Sequence, residues 1–214
     1  TTALVFALYL LGLTAMQFFL DFGELDTAGI ELTVLAVWEQ ALGFLLLGVV
    51  GAGLGLRRSL SETLARLGLS RLRGQQVLLG VGAIAALQLF DLAISLLWSS
   101  VHPDSVQDIL DISRRLFRNF AGPAGAVTLG ITAGVGEEIL FRGALQPRFG
   151  LWLTTLLFTM GHAQYGLTPA LFEVFVIGLV LGIVRTRANT TTAIFIHAGY
   201  NAVNVLLAPL ILGQ

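Results

Sequence analysis

Cysteine is absent from the 214 residues, and so is lysine: all twelve basic side chains are arginine. Without cysteine there is no disulfide, no thiolate metal site, no cysteine nucleophile and no lipid attached through sulfur. The missing lysines have no physical reading. Charge of either sign is scarce, at 12% of residues against 56% hydrophobic, and mean hydropathy is +0.85. A soluble domain of this size needs far more charge to stay solvated. The composition therefore specifies an all-α, polytopic transmembrane helical bundle, with the lipid bilayer as partner and no nucleic acid expected.

Hydrophobic runs predict seven membrane segments, 3–20, 34–56, 75–99, 121–146, 149–163, 168–186 and 190–212. All but the short fifth approach the ~20 residues that cross a ~30 Å hydrocarbon core. A short, interrupted segment belongs inside a bundle, where protein or a cavity satisfies its open backbone. The chain starts Thr1-Thr2 with neither a basic leader nor a cleavage site. No signal peptide is expected, and an eighth, upstream helix is expected to have been trimmed away. One domain, 1–214, accounts for the whole pattern.

Arginine placement orients the bundle. The 57–74 loop carries Arg57, Arg58, Arg66, Arg71 and Arg73, and two more sites lie near Arg142/Arg148 and Arg185/Arg187. The positive-inside rule puts these regions in the cytoplasm, although Arg114, Arg115 and Arg118 fall on the other side; the cell membrane is the expected location. The 21–33 loop, with Asp21, Glu24, Asp26 and Glu31 and no base, suits the outside. Within 101–120, acids precede arginines and Val106, Ile109, Leu110 and Phe117 share a face. This predicts an amphipathic interfacial helix, either a connection or a gate over an intramembrane cavity.

What the spans contain matters more. Glu137 and Glu138 interrupt the apolar run 124–145, with Arg142 as its only other charge. Ionised carboxylates in hydrocarbon cost several kcal/mol or more, so they mark a function, an ion pair or a proton site. His162 and His197 also sit in apolar runs. Counting ~1.5 Å per residue from Pro147-Arg148 and from Arg187 puts Glu137, Glu138 and His197 about 15 Å up, and His162 and Asn201 about 21 Å. These groups converge on one layer near the middle of the bilayer.

Local spacing agrees with that convergence. Arg142, at i+4 from Glu138, can neutralise it and leave Glu137 available. His197, Asn201 and Asn204 form a polar stripe, while Phe158 precedes His162 by one turn. Gly130 and Gly134 let a helix approach closely, and Gly178/Gly182 form a GxxxG packing face. Glu39, Asp91 and Glu173 are read as interface or pairing residues. A carboxylate beside a neutral imidazole can take a proton from water, and a second His with an Asn amide can donate to an oxyanion. These are parts for hydrolysing a carbonyl without a covalent nucleophile; no GxSxG or HExxH occurs.

Glu137-Glu138-Ile-Leu-Phe-Arg142, Phe158-Thr-Met-Gly-His162 and His197-Ala-Gly-Tyr-Asn201 resemble, in order, the EExxxR, FxxxH and HxxxN motifs of the CAAX prenyl endopeptidase and bacteriocin-processing family of intramembrane proteases. The resemblance covers about 120–205. It implies a type II CAAX protease-like endopeptidase acting on a peptide or lipidated-protein substrate. Glu137 with His162 would activate water, Glu138 would support the site with Arg142, and His197 and Asn201 would bind the oxyanion. The family has been read both as metalloproteases and as metal-free glutamate proteases, and the residues permit either. Glu138, His162 and His197 could hold zinc, with the other glutamate as base. Arg142 beside Glu138 disfavours a dication and favours no cofactor. The rivals are a proton-coupled transporter, since such clusters also make proton relays, and a non-catalytic binding scaffold. No inverted repeat supports the transporter.

Overall fold

The computed structural model describes residues 32–102, 113–114, 118–162 and 165–212. Among these, seven helices follow one another: α1 (Val34–Ala52), α2 (Leu60–Leu67), α3 (Gly74–Val101), α4 (Gly122–Glu138), α5 (Gln146–Met160), α6 (Pro169–Arg187) and α7 (Thr190–Leu212), with a π-helical stretch Ile139–Leu145 joining α4 to α5. Their ends follow local chemistry. Thr33 Oγ1 accepts the Ala36 N–H, and α1 stops at Gly53, where φ is 109°. Ser59 and Glu62 form a reciprocal capping box that starts α2, which Gly68 ends in the left-handed region.

Among the described residues, five helical stretches are long and apolar enough to cross a membrane: α1, α3, the run Gly122–Met160, α6 and α7. The expected count of seven to eight includes segments beyond these. The first expected segment, 3–20, lies outside the described residues, as does most of the 21–33 loop and of the expected interfacial helix within 101–120. The fourth and fifth segments fall within one stretch of 39 residues, Gly122–Met160, broken by a reversal. Within it Gly150 has φ 77° and ψ 176°, a conformation natural to glycine. The chain folds back there, as shown by contacts that pair 141 with 158 and 137 with 162. The returning arm, 151–160, is about 15 Å long and crosses only half the hydrocarbon.

That folded run is the centre of the bundle. In its most apolar window 61% of residues are buried, against 11% for α1 and α3. The outer helices instead expose Leu42, Leu46, Leu78, Leu89, Leu92 and Leu96, as lipid-facing surfaces do. Small residues set the helix spacing. A Cβ on Gly134 would lie 2.8 Å from Ala198 Cβ and 2.9 Å from its backbone N, and one on Gly130 2.7 Å from Ala198 O. Gly178 and Gly182 likewise admit Phe158 and Leu151 of α5 against α6. Both glycine faces expected from sequence are therefore packing surfaces. Gly134→Leu is expected to force α4 from α7 and destabilise the fold by about 1–3 kcal/mol, read as earlier unfolding in detergent; unchanged unfolding would show that the seam is slack.

The arginine-bearing segments gather at one end. Gly68 lies against the Arg185 guanidinium, Thr190 Oγ1 donates to Leu67 O, and the Ser70 N–H donates to Thr191 Oγ1 at 2.9 Å. Burial, and then the like charges of Arg148, Arg58 and Arg185, hold Arg66 below the ordinary arginine range. Farther along, Gln88 Nε2 donates to Asn204 Oδ1 at 2.6 Å and ties α3 to α7. Asp91 of α3 and Glu173 of α6 are close enough to interact.

Candidate active site

The last turn of α4 carries Glu137 and Glu138, and the π stretch carries Arg142 one wide turn on. The π character is explicit at its end, where the Gln146 N–H reaches Phe141 O, five residues back. Arg142 Nε lies 3.4 Å from Glu138 Oε2, with both side chains fully buried. Its guanidinium also sits over the Phe158 ring, 5.0 Å from the centroid, so the cation is held by a carboxylate and a π face. A buried charge is tolerable only with such compensation.

Glu138 has a second partner. His197, projecting from α7, donates Nδ1–H to Glu138 Oε1 at 2.9 Å. With Nδ1 fixed in this way, the free ring position is Nε2. The other histidine is fixed differently. His162 follows the end of α5 and donates its Nδ1–H to Phe158 O at 2.9 Å. In the neutral ring Nε2 then carries the lone pair, and it lies 3.9 Å from Glu137 Oε2. Glu137 Oε2 has no hydrogen-bond partner among the described residues. Two acceptors at that separation match the span of one water donating ~2.8 Å bonds to both.

Phe158 separates the two imidazoles, with ring centroids 4.8 Å from His162 and 5.9 Å from His197. Phe141 packs edge-on against it at 5.3 Å. Tyr165 stacks on His162, with centroids 6.4 Å apart and planes 9° from parallel. Phe141 and Tyr165 were not singled out from sequence; their only signals were a position inside EExxxR and a spacing of three from His162. Asn201 lies half-buried on α7, one turn beyond His197. The fold thus brings Glu137, Glu138, Arg142, Phe158, His162 and His197 into one cluster, with Asn201 on the adjoining turn.

The zinc set considered above does not suit this geometry. Glu138 Oε1 accepts from His197 Nδ1, and Oε2 lies 3.4 Å from Arg142 Nε, a cation that disfavours a dication beside it. No three His, Cys, Asp or Glu side chains are grouped for a metal among the described residues.

Residues 119–203 match the family described as Type II CAAX prenyl endopeptidase Rce1-like. That stretch runs from the turn before α4 into α7 and contains every residue of the cluster. The resemblance seen in the three motifs therefore holds over this segment, and the apolar helices and the membrane-protease family fit an integral membrane protein. A protein of Escherichia coli described as "Uncharacterized 24.3 kDa protein" is 35% identical over 73 residues, 29% of this chain and 34% of its own length. The chain spans about a third of that curated relative. No solved structure matches.

Proposed function

Starting from the match over 119–203, we propose that the chain is an intramembrane endopeptidase of CAAX type in the cell membrane. It hydrolyses a peptide bond near the C-terminus of a peptide or protein, prenylated or not. The observation that carries this reading is the 3.9 Å approach of His162 Nε2 to Glu137 Oε2, with the imidazole tautomer set by Phe158 O.

A water between these acceptors is oriented and polarised by both. As its oxygen bonds to the scissile carbonyl carbon, Glu137 takes its proton, His162 accepts a hydrogen bond from the remaining O–H, and the carbonyl π pair moves to oxygen. His197 and the Asn201 amide donate to that oxyanion; each such donor contributes about 10²–10³ in rate. Nε2 of His197 can donate only if the ring holds two protons, because Nδ1–H is committed to Glu138. Glu138, with Arg142 3.4 Å away, is the counter-charge for that imidazolium. Collapse re-forms the C=O bond and breaks C–N, and the leaving nitrogen takes the proton from Glu137.

No step in this scheme requires a metal, and the Arg142 cation 3.4 Å from Glu138 Oε2 supports a metal-free site. Purified protein in detergent should convert a prenylated or an unprenylated test peptide into two fragments whose masses sum to peptide plus water. The same products should appear at an unchanged rate after treatment with a chelator. Inhibition reversed by zinc would sink the metal-free mechanism, and no cleavage of either peptide would sink the hydrolase reading.

A further inference from the structure

Four arginines converge at one end of the bundle without a matching set of acids. Arg66, in the last turn of α2, lies in the field of Arg148, Arg58 and Arg185. They come from four separate stretches: the α1–α2 loop, α2, the first turn of α5 and the last turn of α6. Arg58, Arg66 and Arg185 are half-buried, and Arg148 is exposed. Backbone carbonyls fix two of them. Arg58 Nη1 donates to Ala52 O, and Arg185 Nε donates to Arg142 O at 3.2 Å. The Arg185 guanidinium also lies against Gly68, which ends α2.

Carbonyls position these cations but supply no net charge. The guanidiniums of Arg66 and Arg148 make no hydrogen bond or ion pair with a described residue. Glu62 feels the charge of Arg58, yet its carboxylate caps α2 by accepting the Ser59 N–H at 2.8 Å. One acid does not balance four bases. Acids outside the described residues run from Asp21 to Glu31 and from Asp104 to Asp111. In sequence they adjoin the start of α1 and the end of α3, whereas the cluster lies beside the end of α1, about 28 Å of helix away. Like charges at the edge of hydrocarbon are poorly screened, and an anion among them relieves the repulsion. Guanidinium forks suit phosphate oxygens in particular.

The surroundings favour a phosphate that carries acyl chains. Beside Arg58 a cleft of about 150 Å³ is lined by Val50, Gly51, Gly53, Leu56 and Arg57. Leu56 and the neighbouring Leu60 are 68% and 59% exposed. Cationic and aliphatic surface side by side match the level where headgroup meets hydrocarbon. A free phosphate would use only the first.

We propose that Arg58, Arg66, Arg148 and Arg185 bind the phosphate of an anionic phospholipid, whose acyl chain lies along Val50 and Leu56. The site is separate from the Glu137–His162 pair and stands without the hydrolase reading. Through the bond from Arg185 to Arg142 O, the bound lipid braces the π stretch that carries the buried ion pair.

Native mass spectrometry of the full chain in neutral detergent tests this. The probes are phosphatidylglycerol, phosphatidylcholine with the same acyl chains, and inorganic phosphate. Wild type should hold phosphatidylglycerol at least about 10-fold more tightly than phosphatidylcholine, and equimolar inorganic phosphate should not displace it. Arg66→Gln/Arg148→Gln should weaken phosphatidylglycerol binding by about 10–30-fold. Arg71→Gln/Arg73→Gln removes the same charge from exposed positions outside the cluster, and should change it by less than about 3-fold. Equal retention of the two lipids, or equal weakening in both double variants, overturns the proposal. Displacement by equimolar inorganic phosphate overturns the lipid as source of the anion. Relief of repulsion should leave the Arg66→Gln/Arg148→Gln variant no less stable than wild type in lipid-free detergent. If it unfolds early, Arg148→Gln alone decides: this exposed side chain can be lost without disturbing a partner, and binding should weaken by about 5-fold. Unchanged binding in that variant overturns the proposal.

Discussion

Glu137→Gln is expected to lower the rate of peptide cleavage by about 10²–10⁴-fold and to leave unfolding in detergent unchanged. The amide keeps the shape of the carboxylate and its place 3.9 Å from His162 Nε2. It cannot take the proton of an attacking water. Stability should hold because Glu137 Oε2 makes no hydrogen bond within the described residues, so the substitution removes a charge without orphaning a neighbour. The pairing of lost turnover with intact stability is what distinguishes a base from a structural acid. Cleavage within a few-fold of wild type would remove Glu137 from the chemistry.

Arg142→Met should have the opposite signature. Removing one member of a fully buried ion pair typically destabilises by about 3–5 kcal/mol, because the partner charge is left uncompensated. Here the partner is Glu138, with no exposed surface, and Phe158 loses the cation over its ring. The single variant should unfold early and cleave little. Adding Glu138→Gln removes the stranded charge and should recover much of the stability, since an amide can still accept the His197 Nδ1–H. Activity should not return, because a neutral group no longer sustains a doubly protonated His197. If the double variant were as unstable as the single one, the stabilising role would belong to Arg142 packing rather than to the ion pair.

The membrane helices were legible because apolar runs of that length have few other uses, and the cluster because charge in such runs is expensive. Four segments ran true: α1, α3, α6 and α7 lie where hydropathy puts them. The level of the site was legible only approximately. Counting from Pro147 separates Glu137 from His162 by about 6 Å of rise, whereas the two are in contact range. The error lies in the turning point. Proline is the usual breaker, but at the first turn of α5 it lacks only an N–H that would be orphaned anyway. The reversal occurs three residues later, at Gly150. Counted from there, both residues reach one level. The π stretch has no periodic signature, and the His197–Glu138 bond joins residues 59 apart, so neither could be read from local pattern.

The widened turn between Ile139 and Leu145 makes the number of residues, as well as their identity, part of the site. Each residue of an ordinary helix advances the chain by about 100°. Deleting one between Glu138 and Gln146 would let the backbone ladder close with regular spacing, yet swing Gln146 and the returning arm away from the carboxylates. Side-chain exchanges in this stretch are local, whereas a change of length is felt on both arms at once. Substitution is therefore the milder change here, and deletion the more damaging one.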